Sequence, residues 1–180
     1  MVCDLSLIVI FMFAVHLCCQ IITNGRIHHH STIIICGSSN AGKTNFTQKI
    51  LEHSQSVFKR SATAFVVLIY ETWQNSYDEM LQRKYINLSI KGISGIDYLK
   101  EIFTENKNKG GTLLIIDDQM QYIDQNIVSI FTIYSHHYNV TCLLLTQSLF
   151  LSNKLYRTVS LNSNYIVLMK KHAIVLRLHN

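Results

Sequence analysis

Eight residues constrain this chain more than any others: Gly37-Ser38-Ser39-Asn40-Ala41-Gly42-Lys43-Thr44. They follow an apolar, β-branched run, Thr32 to Cys36, and precede a segment of helical character from Asn45 to His53. The pattern is G-x-x-x-x-G-K-[ST] between a strand and a helix, which is the context the phosphate-binding loop requires. The glycines let successive backbone N–H groups turn inward around phosphate oxygens. The positive end of the following helix adds to that field. Lys43 is then expected to reach the β- and γ-phosphates and the Thr44 hydroxyl to hold Mg²⁺. A chance glycine turn is the plainer alternative, and the flanking strand and helix weigh against it.

A second stretch fits the first. Thr112 to Asp118 (TLLIIDD) is an apolar strand closing on two carboxylates. Open α/β sheets place their ligand chemistry at the carboxyl ends of such strands. Behind a phosphate-binding loop, Asp117 is expected to hold Mg²⁺ and Asp118 to polarise an attacking water. A strand-end aspartate that caps the next helix is the alternative reading. A third apolar run, Val140 to Leu145, ends in Thr146-Gln147-Ser148. Thr146 and Gln147 are both candidates to touch the γ-phosphate or the water, against a simple strand-ending turn.

Around these motifs the chain reads as one α/β domain. Ala64 to Tyr70, Ile86 to Ile90 and Tyr165 to Met169 have strand character, and Ala173 to Leu178 is β-prone. Ile96 to Lys107 has apolar residues at helical spacing and ends at Gly110-Gly111. Asn126 to Tyr134 is a further expected helix. With 48% hydrophobic and 15% charged residues over 180 positions, the chain belongs with packed domains rather than disordered ones. A net charge of +5 suits a nucleotide or nucleic-acid partner, and equally a solvated face of lysines. The five cysteines, Cys3, Cys18, Cys19, Cys36 and Cys142, form no C-x-x-C pair and suggest neither a disulfide framework nor a zinc site. His28-His29-His30 reads as a polar linker, with metal binding as the alternative.

The amino-terminal run from Leu5 to Ile22 is almost uncharged and near the ~20 residues that span a bilayer. Three readings compete: a membrane anchor, a secretory signal, or a buried element. Asp4 stands where a signal carries basic residues, which counts against the second. Asn24-Gly25 marks a turn and residues 26–31 a linker.

Several nucleotide-binding classes lack their signatures here. Asn153-Lys154-Leu155-Tyr156 lacks the acid of a guanine reader, no Ser-Gly-Gly signature of a transporter ATPase occurs, and Asp117-Asp118-Gln119-Met120 is not a helicase box. A small kinase-like transferase would need an arginine-rich lid, and the carboxyl-terminal third holds only Arg157 and Arg177. Strands before and between the two nucleotide motifs point instead to an α/β P-loop NTPase with an additional-strand ATPase core. Its sheet is expected to be mostly parallel, with helices on both faces.

The chain also resembles the FtsK–HerA-type ATPases that package viral DNA, in the form found in poxvirus-like and Maverick/Polinton-like or adintovirus-like elements. The likeness runs from about Thr32 to Lys170. It is carried by YETWQNSYDEM after the second strand, LLIIDDQM, SHHYNVTCLLLTQSLF, and YRTVSLNSNYIVLMK. It implies ATP and Mg²⁺ as cofactors, with hydrolysis driving double-stranded DNA through a homo-oligomeric ring. By the resemblance, Gly37 to Thr44 bind the phosphates, Thr44 and Asp117 hold Mg²⁺, Asp118 is the catalytic acid, Gln147 senses the γ-phosphate, and Arg157 is an arginine finger reaching a neighbour's nucleotide. Where the family continues with an N-P-R-D-like turn, Lys171-His172-Ala173 stands here. The expected organisation is a hydrophobic leader and linker over 1–31 and an intracellular ATPase domain over 32–180, truncated at its carboxyl end. Membrane association would run through residues 5–22. The alternative function is a catalytically idle, membrane-anchored nucleotide-binding remnant of a captured viral element.

Overall fold

The computed structural model describes residues 9–12, 27–28, 30–58, 64–93, 95–118, 123–149 and 153–169. Their centre is a sheet of seven strands: β1 Val9–Met12, β2 Thr32–Gly37, β3 Phe65–Tyr70, β4 Leu88–Lys91, β5 Thr112–Asp117, β6 Val140–Thr146 and β7 Tyr165–Met169. They lie in the order β1-β7-β2-β6-β5-β3-β4, and every pairing is parallel. β2, β5 and β6 are buried along their whole length. That is why they read as unbroken apolar runs rather than alternating ones.

Helices cover both faces. On one lie α1 Lys43–Glu52, α2 Ser54–Val57 and α3 Asn75–Gln82, packed through Ile50, Leu51, Val57, Tyr77 and Met80 onto Ile33, Ile35, Leu113, Ile115 and Leu143. On the other lie α4 Ile96–Asn106, α5 Gln125–Ser129, a π turn at Ile130–Tyr134, α6 Ser135–His137, and α7 Lys154–Leu161. They bury Phe103, Ile127, Phe131, Tyr156 and Val159 against Ile34, Ile116, Cys142 and Leu144. Alternate residues of each strand therefore feed opposite cores, as the two-residue strand period demands.

β6 sits between the loop-bearing β2 and the acid-bearing β5. Set between the two motif-bearing strands, it is the additional strand of the expected core. Leaving β2 the chain enters α1 on one face, whereas after β6 it enters α7 on the other. Their carboxyl tips diverge, and a crevice opens between them.

Three features differ from expectation. The helix expected over Asn126 to Tyr134 starts at Gln125, takes π pitch over Ile130–Tyr134 and runs on through α6 to His137, with Ile127, Ile130 and Phe131 buried as its apolar spacing implies. Arg157 lies on α7, a helix not among those expected from the sequence, which is capped by Asn153, whose side chain accepts from Leu155 N. Within the leader, Val9–Met12 is an edge strand hydrogen-bonded to β7, so at these four residues a membrane-spanning helix is replaced by sheet pairing. Among the described residues no helix is long and apolar enough to cross a membrane. The rest of the leader, Lys170 to His172 and the run Ala173 to Leu178 lie outside the described residues.

Candidate active site

The loop after β2 is held by steric constraints that only glycine meets. A Cβ on Gly37 would lie 2.8 Å from the Met169 carbonyl oxygen and 2.9 Å from Met169 Cβ, so β7 packs directly on the loop's first residue. Gly42 has φ +89 and caps α1 in the left-handed region that favours glycine. Asn40 also turns left-handed, at φ 61, as its short polar side chain tolerates. The first turn of α1 carries no acid, and Lys43 is its first residue. The positive helix end is thus left uncompensated at the mouth of the crevice. Lys43 Nζ donates to the carbonyls of Gly37 at 2.8 Å and Ser38 at 3.2 Å, which lays the ammonium back across its own loop. Two of its three donors are used this way.

The two acids at the end of β5 have different surroundings. Asp117 is 4% exposed. Its Oδ2 accepts from Tyr77 OH at 2.7 Å and lies 3.3 Å from Thr44 Oγ1. Burial pushes its carboxyl above the usual carboxylate range, and hydrogen bonds from Tyr77 and Thr44 partly offset that shift. Burial and the facing Asp117 likewise push the Tyr77 hydroxyl far up. Asp118 is exposed and left-handed at φ 59, so the strand ends sharply between the two. The next described helix, α5, is capped by Asp124, which accepts from Asn126 N and Ile127 N, and not by Asp117.

These groups meet in one cleft of about 470 Å³. It is lined by Ser39, Asn40, Gly42, Lys43 and Thr44 from the loop, Asp117 and Asp118 from β5, and Gln147 from the tip of β6. Gly37, Ser38 and Ala41 are not part of that lining. Thr146 is buried and donates to the Ser148 carbonyl at 2.9 Å, so it closes the turn, and Gln147 is the member of the pair that lines the cleft. Arg157 is exposed on α7 and is not part of the lining within one chain. Among the described residues no histidine cluster suited to a metal forms; His30 instead donates its backbone N–H to Thr141 Oγ1.

The structure adds groups that the motifs did not single out. Gln74 lines the cleft with its Oε1 3.3 Å from Thr44 Oγ1, and Tyr77 reaches Asp117 from beneath. Both come from the WQNSY segment, in which Gln74 caps α3 and Tyr77 lies in its first turn. The residues fit a hard divalent cation. Thr44 has one hydroxyl proton and two acceptor oxygens at 3.3 Å, so its hydroxyl, the Gln74 carbonyl and the Asp117 carboxylate bring more acceptor capacity together than the hydrogens present can use. Oxygen donors of this kind suit Mg²⁺.

No family model matches this chain, and no curated protein does. Among solved structures it is similar to a KaiC-like protein from the hyperthermophilic archaeon Pyrococcus horikoshii OT3, with a TM-score of 0.53 and 16% sequence identity. The match covers 81% of this chain and 76% of that one. The fold is that of a P-loop NTPase. At this identity the likeness carries the architecture alone.

Proposed function

We propose that this chain is the core of a Mg²⁺-dependent ATPase. The observation that carries this reading is the convergence of Lys43, Thr44, Asp117, Asp118 and Gln147, from three strand tips, on one cleft. The loop amides and the α1 terminus bind the triphosphate, and Lys43 exchanges its loop carbonyls for β- and γ-phosphate oxygens. Thr44 and Asp117 would hold Mg²⁺, which when bound neutralises phosphate charge and helps the leaving group depart. Asp118, free of the burial that affects Asp117, accepts a proton from the attacking water. The water oxygen bonds to the γ-phosphorus as the bond to the β,γ-bridging oxygen breaks, giving ADP and phosphate. Gln147 orients the water or the γ-phosphate from the tip of β6, between the loop and the acids.

The finer reading is a DNA-translocating motor. It is supported by the sequence resemblance and the net charge of +5. Arg157, exposed on α7, would act on a neighbour's nucleotide in a ring of subunits. The test is ATP hydrolysis with and without double-stranded DNA. Turnover stimulated by DNA, weakened by salt and lost in Lys43→Ala, supports the motor. Turnover indifferent to DNA reduces the reading to a plain ATPase. Nucleotide binding without any turnover would replace it with the idle remnant.

A further inference from the structure

Gln74, the N-cap of α3, and Tyr77, in its first turn, contact the two residues placed to hold the cation. Tyr77 OH donates to Asp117 Oδ2 at 2.7 Å, and Gln74 Oε1 stands 3.3 Å from Thr44 Oγ1. Among the described residues no lysine or arginine forms an ion pair with Asp117. The phenol is therefore the short hydrogen bond that fixes this buried carboxylate. Tyr77 is itself 1% exposed and clamped by aromatic neighbours. Trp73 packs edge-on to it at 5.4 Å and to Tyr70 at 4.9 Å, and the Tyr70 and Tyr77 rings are 6.0 Å apart. Trp73 is partly exposed, and its indole N–H donates to Asp78 Oδ1 at 3.2 Å.

We propose that Tyr77, assisted by Gln74, is a positioning residue for the cation: it holds Asp117 Oδ2, Gln74 holds the Thr44 hydroxyl, and the aromatic trio keeps both in register. This rests on the Mg²⁺-ATPase reading above. Groups that orient metal ligands through hydrogen bonds typically matter by about 10- to 100-fold in metal affinity or activity. A ring that only filled the core would contribute through its apolar surface, which phenylalanine retains. Tyr77→Phe separates the two roles.

Trp73 is the single tryptophan of the chain and touches Tyr77, so its emission reports on this contact. The experiment titrates free Mg²⁺ into protein saturated with the non-hydrolysable analogue AMP-PNP, following Trp73 emission. In parallel, the Mg²⁺ dependence of ATP turnover is measured. In Tyr77→Phe the Mg²⁺ half-point is expected to rise at least about tenfold in both readouts, with the half-saturating ATP concentration little changed and partial rescue by Mn²⁺. Gln74→Ala should shift it in the same direction by less. Asp78→Asn, which touches only the indole, should leave it where it was. Folding is checked by thermal melting without metal; if Tyr77→Phe does not fold, Gln74→Ala carries the test alone. A folded variant whose Mg²⁺ half-point stays within about twofold of the wild type overturns the inference while the ATPase reading stands. A wild type that shows no Mg²⁺-dependent change in either readout sinks the ATPase reading, and this inference with it.

Discussion

Two clefts of nearly equal size open at opposite ends of the sheet. One, about 470 Å³, lies at the carboxyl tips of β2, β5 and β6; the other, about 440 Å³, lies at the amino ends of β3, β5 and β6. The second is walled by Leu51, Phe58, Phe65 and Leu113, with Lys84, Lys109, Asn87 and Asn106 at its edge and no carboxylate. Its amides are committed to the fold: Asn87 Oδ1 accepts from Val66 N, and Asn106 Nδ2 donates to the Ile102 carbonyl. In the first, a hydroxyl faces two acceptors, a carboxylate is buried with no ion-paired lysine or arginine among the described residues, and a helix begins without an acid. Concavity alone therefore does not mark the site; unspent hydrogen-bonding and charge capacity does. Parallel topology explains the asymmetry. Helices that follow strands begin at the carboxyl end of the sheet and finish at the amino end, so the positive helix ends gather on one side only.

The largest expected difference between the clefts is catalytic. Asp118→Asn removes the exposed proton acceptor from the carboxyl-end cleft while leaving the loop intact. Turnover should fall by about 10²–10⁴-fold, with ATP binding retained. Single-turnover hydrolysis beside equilibrium nucleotide binding measures both, and full turnover in this variant would remove Asp118 from the mechanism. Next comes charge at matched positions. Lys43→Ala should cost about 10²–10³-fold in turnover, as loss of a preorganised electrostatic contact does. Lys84→Ala at the other end should change turnover by less than about twofold, within the small effects usual for surface substitutions. Equal losses from the two lysines would erase the distinction between the clefts.

A thermodynamic contrast follows. ATP with Mg²⁺ at a hundredfold excess over its Kd should stabilise the fold by about 2.7 kcal/mol, worth several degrees in Tm. Lys43→Ala should abolish that stabilisation and Lys109→Ala should keep it. Thermal melting with and without nucleotide reads both arms, and stabilisation that depends on Lys109 rather than Lys43 would move the ligand to the other end of the sheet.

The carboxyl-end cleft was largely legible in the sequence because its parts are local. A glycine loop, an acid pair and a polar strand tip each occupy a few consecutive residues, and burial on both faces made β2, β5 and β6 readable as continuous apolar runs. The groups not legible were those acting over distance. Gln74 meets Thr44 across 30 residues and Tyr77 meets Asp117 across 40, and no local pattern announces either contact. α7 was missed for another reason: it buries only Tyr156 and Val159, too short an apolar stripe to stand out, although Asn153 was available as a cap signal. The strand at Val9–Met12 was obscured because an apolar run suits an anchor or a buried strand equally well, and pairing with a strand more than 150 residues away decides between them.

The smallest predicted effect concerns what the cleft costs the fold. Among the described residues no lysine or arginine is ion-paired with the buried Asp117, and burial holds its folded-state carboxyl above the usual range. As pH rises, the carboxyl of the unfolded chain ionises first. Stability from this group is therefore full below the unfolded value and is lost as pH climbs through the raised folded value, so at neutrality the ionised Asp117 destabilises the metal-free protein. Asp117→Asn keeps an acceptor for Tyr77 and removes the charge. It should raise metal-free stability at neutral pH by about 1 kcal/mol, the usual scale for relieving a functional site, while lowering Mg²⁺-dependent turnover. The gain should shrink as pH falls toward the range where Asp117 is protonated. Urea melts of both proteins across that range measure it, and a variant less stable than wild type at neutral pH would show that Asp117 is held for the fold rather than for the cation.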